Sequence, residues 1–398
     1  MIIIDKPYVS EFLKQTLIKY QFPVLNTPQL KDLNLDGDIN YWSELQAIEH
    51  FKNNPETRLY TNSENAIKWI SENLTFTDLP KNINLFKDKF LFRDLVKNLY
   101  PDVYFKSLSV NDFENLDIQN IPKPFIIKPA VGFFSMAVYR VNSDTEWPLV
   151  KTKIHKELDS VKNIYPKEVM DTSRFIIESI IEGDEYAIDA YFNSQGEPVI
   201  LNIMKHVFAS GNDFSDRLYI TSYKIITENL MEMENFLGQI GKLSGLKNFP
   251  LHVEVRKIKG KKSVPIEVNP LRFGAWCTTA DATWMAYNYN SIEYFLTDKK
   301  PDWDKLLNKK KGSTFAMMVL ENSTGYEARQ IKSFDYEKLL TNFTKPLELR
   351  KINYHEYPVF GFLFAESKNQ HLSELKRILK SNLREYVELK KGEKVTNK

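Results

Sequence analysis

A single cysteine, Cys277, stands in 398 residues, which excludes an internal disulfide and any cysteine-rich metal knuckle. Histidine is also scarce, with six scattered residues and no HExxH, so a zinc hydrolase has no support. Glycine numbers 14, and neither GxxxxGK[ST] nor GxGxxG occurs; a P-loop nucleotidase and a Rossmann dinucleotide site are excluded with them. No apolar run approaches the roughly 18 residues of a membrane span. The opening MIIIDKPYVS acquires charge by Asp5, so it lacks a secretory apolar core. Neither sign of charge dominates: 54 Lys and Arg face 52 Asp and Glu, which argues against a protein that coats nucleic acid. Cytoplasmic residence, with no membrane and no nucleic-acid partner, is the expectation. Cys277 follows Trp276 with no base near it in sequence, and it reads as a packed apolar residue.

What is present is a chain long enough for two to four structural units. Residues 1–84 read as a small α/β unit. Val9–Tyr20 has helical periodicity, Pro23–Leu25 and Arg58–Tyr60 are extended, and Ser63 caps a helix through Ile67, Ile70 and Leu74. A helix is expected over Leu85–Leu99, stopped by Pro101. Strands are expected at Pro124–Pro129, Met136–Val141, Phe175–Glu178, Tyr186–Phe192 and Pro198–Met204. A helix carrying Val150, Ile154, Leu158 and Val161 interrupts them. A long helix over about 224–245 precedes a hairpin, Leu251–Val255 and Ser263–Val268, and a further helix runs Asp281–Leu296. Residues 300–312 read as a linker. Beyond it, strands near Thr314–Leu320 and Val359–Ala365 precede a last helix carrying Leu372 to Val387, and the tail from Lys390 is frayed.

Three segments carry candidate chemistry. In the hairpin, His252, Glu254 and Arg256 share one strand face, and Glu267 and Asn269 share a face of the partner strand. If these faces coincide, two carboxylates and an amide oxygen converge, a hard-oxygen set suited to Mg²⁺; the alternative is an amphipathic hairpin whose carboxylates meet water. In Phe125–Ser135, Lys128 ends an apolar strand and a turn with Gly132 and Ser135 follows. Such a segment presents an ammonium and backbone N–H groups to a phosphate, or simply sends a strand-end lysine to solvent. In Phe175–Asp189, exposed backbone at Ser179–Ile181 can read an adenine edge and Glu185 can accept ribose hydroxyls; the alternative is an ordinary hairpin with a polar turn.

In their order along the chain these segments resemble the ATP-grasp superfamily, over roughly residues 85–297. Asp88-Lys89 matches the first ATP-contacting lysine and Lys128 the second. Glu178-Ser179-Ile180-Ile181 followed by Glu185 is similar to the adenine hinge and ribose glutamate. Glu254 with Glu267-Val268-Asn269-Pro270 resembles the metal ligands, and Arg272 stands near the arginine that meets the reacting carboxylate or acyl phosphate. The resemblance implies an α/β (α+β) ATP-grasp fold: an N-terminal α/β unit over 1–84, a two-lobed core with antiparallel sheets over 85–299, its lid at about 121–182, and a C-terminal α/β extension over 300–398. Two departures stand out. The phosphate loop has one glycine and two phenylalanines, Phe133 and Phe134. The arginine lies three residues after Asn269 rather than two.

The implied activity is a carboxylate–amine ligase that uses ATP and Mg²⁺, with Mn²⁺ as a substitute ion. It activates a small-molecule carboxylate as an acyl phosphate for attack by an amine, with an amino acid or peptide among the candidate substrates. His252, Arg256 and Arg272 are its catalytic candidates. Lys89, Lys128, Gly132, Ser135, Glu178, Ser179, Ile181 and Glu185 are its nucleotide contacts, and Glu254, Glu267 and Asn269 its metal ligands. A phosphotransferase without ligation and a catalytically silent nucleotide-binding regulator are the competing readings. Substrate choice falls to residues 1–84, to the loop Ala209–Thr221 and to the chain after 300, none of which carries a legible motif.

Overall fold

The computed structural model describes residues 1–391 except 34, 133–136, 162–170, 172, 211–214, 216 and 369–371. The chain opens with β1 (Ile2–Ile3), α1 (Glu11–Tyr20), β2 (Val24–Leu25), β3 (Tyr41–Trp42), α2 (Glu44–Asn53) and β4 (Tyr60–Thr61). The strands form a parallel sheet in the order β3-β2-β1-β4. Ser10 caps α1 by accepting from Leu13 N–H, and Ser43 closes a capping box with Gln46 on α2.

Three helices follow: α3 (Ile67–Asn73), α4 (Leu79–Lys87) and α5 (Lys89–Val96). The single helix expected over Leu85–Leu99 is therefore broken. Asp88 adopts extended backbone (ψ 107°), and its carboxylate accepts from Phe90 and Leu91 N–H, so it ends one helix and caps the next. The break makes Lys89 the first residue of α5, with its N–H donated to Ala130 O at 2.8 Å.

The segment expected as the lid contributes to an antiparallel sheet, β5 (Phe105–Ser109), β6 (Phe125–Pro129), β7 (Tyr139–Val141) and β8 (Arg174–Ser179), in the order β5-β8-β6-β7. This sheet thus draws a strand from upstream of residue 121. The helix α6 (Trp147–Val161) covers it through a core of Phe113, Phe125, Ile127, Trp147, Ile154 and Phe175.

The main body is an eight-stranded antiparallel sheet. In chain order its first members are β9 (Asp184–Phe192), β10 (Pro198–His206), β11 (Leu218–Ser222), β12 (Phe249–Lys257), β13 (Val264–Pro270) and β14 (Ser313–Glu321). A short strand outside the sheet, β15 (Ile331–Phe334), is followed by the last two members, β16 (Pro346–Lys351) and β17 (Val359–Lys368). The spatial order is β13-β12-β9-β10-β11-β14-β17-β16. The stretch after 300, expected as an extension, therefore lengthens this sheet by three strands.

The helix α7 (Tyr223–Ser244) packs on one face, so closely that a Cβ on Gly241 would stand 2.7 Å from the Phe192 ring. The opposite face carries Glu185, Ala187 and Asp189. Next come α8 (Thr278–Tyr287) and α9 (Ser291–Leu296), separated by the left-handed Asn288 where one helix is expected over Asp281–Leu296. The expected linker contains a helix, α10 (Trp303–Asn308). After α11 (Tyr336–Leu340), the last helix, α12 (Ser373–Lys380), is shorter than the expected run to Val387: Leu383 is left-handed, and β18 (Val387–Leu389) pairs with β15 instead. Cys277 is buried as expected, and burial, with Asp281 nearby, pushes its thiol up to about 12. Among the described residues no helix is long and apolar enough to cross a membrane.

Candidate active site

Strand register decides what the hairpin presents. Glu254 lies directly opposite Glu267, and His252 opposite Asn269. On the other side of β12, His252 faces Asp189, Glu254 faces Ala187 and Arg256 faces Glu185. Paired residues share a face, so the two faces considered from the sequence coincide. The Glu254 and Glu267 side chains are each about a quarter exposed (23% and 25%), so their oxygens reach open space. Two carboxylates and an amide oxygen are hard donors. Among the described residues, no cluster of three or more carboxylate, imidazole or thiolate groups forms a closed protein cage. A set of this size fits Mg²⁺, which keeps waters and completes its shell with phosphate oxygens.

His252 is buried beside this pair. Its Nδ1 lies 2.7 Å from Asp189 Oδ1 and its Nε2 lies 3.7 Å from Glu254 Oε1. Burial alone would lower the imidazole pKa, but the hydrogen bonds to Asp189 and Glu254 raise it to about 9. The shift favours the protonated ring, with one ring nitrogen committed to Asp189 and the other turned toward Glu254.

The lysines converge from two elements. Lys89, at the start of α5, donates to Gly132 O at 3.3 Å and stands 3.4 Å from Glu267 Oε1. Lys128 on β6 lies 2.5 Å from Glu178 Oε1 on the neighbouring β8, and Glu178 Oε2 accepts from Arg93 Nε at 2.7 Å. Burial alone would raise the Glu178 carboxyl, yet Arg93 and Lys128 hold it down to about 2. Arg93 also donates to Pro265 O on β13, tying the lid to the hairpin. Glu267 is held low in the same sense: burial opposes ionisation, and Lys89, Lys128 and Lys87 overcome it.

The segment expected to meet the nucleoside is the β8–β9 turn. Gly183 adopts a left-handed φ of +115°, and a Cβ there would stand 2.5 Å from the Lys257 backbone. Ser179 N–H donates to Tyr104 O, and its hydroxyl accepts from Tyr104 N–H. Glu185 is clasped by Arg256 (Nε 2.9 Å, Nη2 2.8 Å) and by His206 Nδ1 at 2.8 Å; Arg256 also donates to Ile181 O at 3.2 Å. Of the three catalytic candidates, the structure therefore keeps His252 with Glu254 and Asn269, and brings Arg256 to the hinge and Glu185. Arg272 stands apart: its Nε and Nη2 donate to Glu64 of the N-terminal unit at 3.2 and 2.7 Å, and Nη1 donates to Phe273 O. Gly132 is at Lys89. Ser135 lies outside the described residues, as does part of the loop Ala209–Thr221.

Glu64, Lys87, Arg93, Asp189 and His206 escaped the sequence reading. Asp189 had a signal, since it shares a strand face with Glu185 at the period-two spacing. Glu64 and Lys87 had none, because their partners are set by packing between units.

Residues 121–280 match the model of the ATP-grasp domain. No curated protein sequence matches the chain. An L-amino acid ligase from Bacillus licheniformis is similar in structure, with a TM-score of 0.65, 16% identity, and 98% of this chain and 97% of that one covered. An N5-carboxyaminoimidazole ribonucleotide synthetase from Thermotoga maritima gives 0.61, at 13% identity and 97% of both chains. A biotin carboxylase from Campylobacter jejuni gives 0.59, at 11% identity, with 98% and 91% covered.

Proposed function

We propose that this chain, whose residues 121–280 match the ATP-grasp domain, is a cytoplasmic ATP-dependent carboxylate–amine ligase. The observation that carries this reading is the pairing of Glu254 with Glu267 and of His252 with Asn269 on one sheet face, with Lys89 and Lys128 brought over it. Glu254, Glu267 and Asn269 would hold a Mg²⁺ ion, which when bound neutralises charge on phosphate oxygens. Lys89 and Lys128 attract the polyphosphate and offset its charge. Within Ser179–Ile181, where Ser179 N–H is already held by Tyr104 O and Ile181 O accepts from Arg256, the remaining backbone groups read the adenine edge, and Glu185, oriented by Arg256 and His206, accepts ribose hydroxyls.

A carboxylate is inert to amines at neutral pH. Its oxygen attacks the γ-phosphorus of ATP, the bond to the bridging oxygen breaks, and ADP leaves. The acyl phosphate now carries a leaving group. An amine adds to its carbonyl carbon, phosphate departs, the nitrogen loses a proton and an amide forms. Through this sequence the His252 imidazolium turns positive charge toward an anionic reacting centre, and Arg272 orients the carboxylate with its remaining N–H donors.

The likeness to an L-amino acid ligase supports an amino acid or peptide as one substrate. The test is ADP release from MgATP across a panel of carboxylic acids, with and without amines, followed by mass analysis of products. Amine-dependent ADP release with an amide product is the expected result. ADP release that ignores the amine, with a phosphorylated product, would instead assign a phosphotransferase.

A further inference from the structure

Arg272 is held by the N-terminal unit in an unusual way. Leu271 before it is buried and left-handed (φ 63°), a conformation that a branched residue adopts only when its surroundings impose it. Two contacts with the N-terminal unit do so. Thr61 N–H, at the edge of β4, donates to Leu271 O at 2.8 Å, and Glu64, three residues on, takes the Arg272 side chain.

Glu64 does more than neutralise Arg272. Its Oε1 accepts from both Nε and Nη2, which fixes the guanidinium plane, while Oε2 takes the ammonium of Lys87. Burial would raise the Glu64 carboxyl, yet Lys87 and Arg272 hold it down to about 2. Three of the five guanidinium N–H donors are engaged, so one N–H on each terminal nitrogen is left for an incoming anion. One carboxylate divided between two cations also leaves the cluster with a net positive charge. Lys87 in turn bears on Glu267, so the cluster is continuous with the candidate metal ligands.

We propose that Glu64 is a positioning residue of the active site, through which the N-terminal unit holds Arg272 in register to receive the carboxylate of the substrate. The inference rests on the ligase reading for its kinetic consequence, but not for its chemical one. Removing the Glu64 charge frees the Arg272 plane and leaves Lys87 without its counter-ion, while the nucleotide contacts at Lys128 and Glu185 are untouched. A residue acting on carboxylate alignment shifts kcat and the KM of the acid together and spares the KM of ATP.

The experiment compares wild type, Glu64→Gln, Glu64→Asp, Arg272→Ala and the Glu64→Gln/Arg272→Ala double variant. One arm measures ADP release from MgATP with each of the twenty proteinogenic L-amino acids. About a tenfold to hundredfold loss in kcat/KM for the acid is expected for Glu64→Gln, of the size that supporting residues of active sites carry. The ATP KM should be unchanged, Glu64→Asp should recover part of the loss, and the double variant should be no worse than Arg272→Ala alone. A second arm needs no substrate: it follows phenylglyoxal modification of Arg272 by mass spectrometry. Arg272 should react several-fold faster in Glu64→Gln than in wild type. An inactive wild type would overturn the amino-acid ligase reading, and the labelling arm would still decide the inference. Equal labelling rates, or additive losses in an active enzyme, would overturn the inference itself.

Discussion

Lys128 Nζ lies 2.5 Å from Glu178 Oε1, and the other oxygen of the same carboxylate is taken by Arg93 at 2.7 Å. The three groups come from β6, β8 and α5, so one buried carboxylate joins the lid to the helix that carries Lys89. Shared between two cations, it leaves net positive charge in this cluster and holds the lysine in a defined orientation.

Lys128→Ala should therefore weaken ATP binding by about 1.5–3 kcal/mol, the usual worth of a charge-assisted hydrogen bond. Titration calorimetry with MgATP measures it. Lys89→Ala should act in the same direction with a smaller effect, since Lys89 also serves Gly132 O. Wild-type affinity in both variants would remove the two lysines from the nucleotide site.

Glu267→Gln should cost about 100-fold or more in turnover, because outer-shell partners of metals already cost 10–100-fold and this residue is a candidate ligand. It removes no volume, so circular dichroism and the melting temperature should change little. Unchanged activity at limiting Mg²⁺ would contradict the metal role.

Acid stability should report Glu178. Its folded carboxyl titrates near 2 against an ordinary 4.5, so the unfolded state binds the proton more readily. A depressed carboxyl contributes stability that is fully present above about pH 4.5 and is lost as the pH falls toward 2, on the order of 3 kcal/mol by linkage. Urea unfolding from pH 7 to pH 2 should show that loss. Glu178→Gln should be less stable at pH 7, with Lys128 and Arg93 left uncompensated, and flatter across the acid range. An equally steep acid slope in the variant would assign the loss to other carboxylates.

Hydroxylamine should intercept the intermediate. An acyl phosphate is a mixed anhydride, open to a small nucleophile, so an acid that drives ADP release should give an ATP-dependent hydroxamate, in partial yield because the lid must open to admit the nucleophile. Arg272→Ala should reduce the yield by loosening the carboxylate. Full yield in that variant would move the carboxylate contact to His252, since Arg256 is taken up by Glu185 and Ile181 O. With such an acid, absence of any hydroxamate would favour transfer to a hydroxyl.

Much of the candidate site's strand geometry was legible because its logic is local. The alternation of His252, Glu254 and Arg256, the Glu267-x-Asn269 spacing and the strand-end Lys128 follow from period-two geometry within single strands. A hairpin joined by a short turn leaves few registers to choose from. The same locality failed where one residue breaks a periodic pattern: Asp88 divides the helix that the apolar spacing makes continuous, because its carboxylate offers Phe90 and Leu91 a better partner than the helix does.

Sequence by itself determined the order of motifs, which residues share a face within each strand of the hairpin, and the alternation of strands and helices in the first 84 residues. Only the tertiary structure decided that β14, β17 and β16 lengthen the central sheet, that Arg93 reaches Glu178 from 85 residues away, and that Glu64 reaches Arg272 from 208. The physical reason lies in what each level encodes. Side-chain alternation is written into every strand, whereas a buried ion pair between units exists only once both surfaces have packed and excluded the water that would otherwise screen each charge.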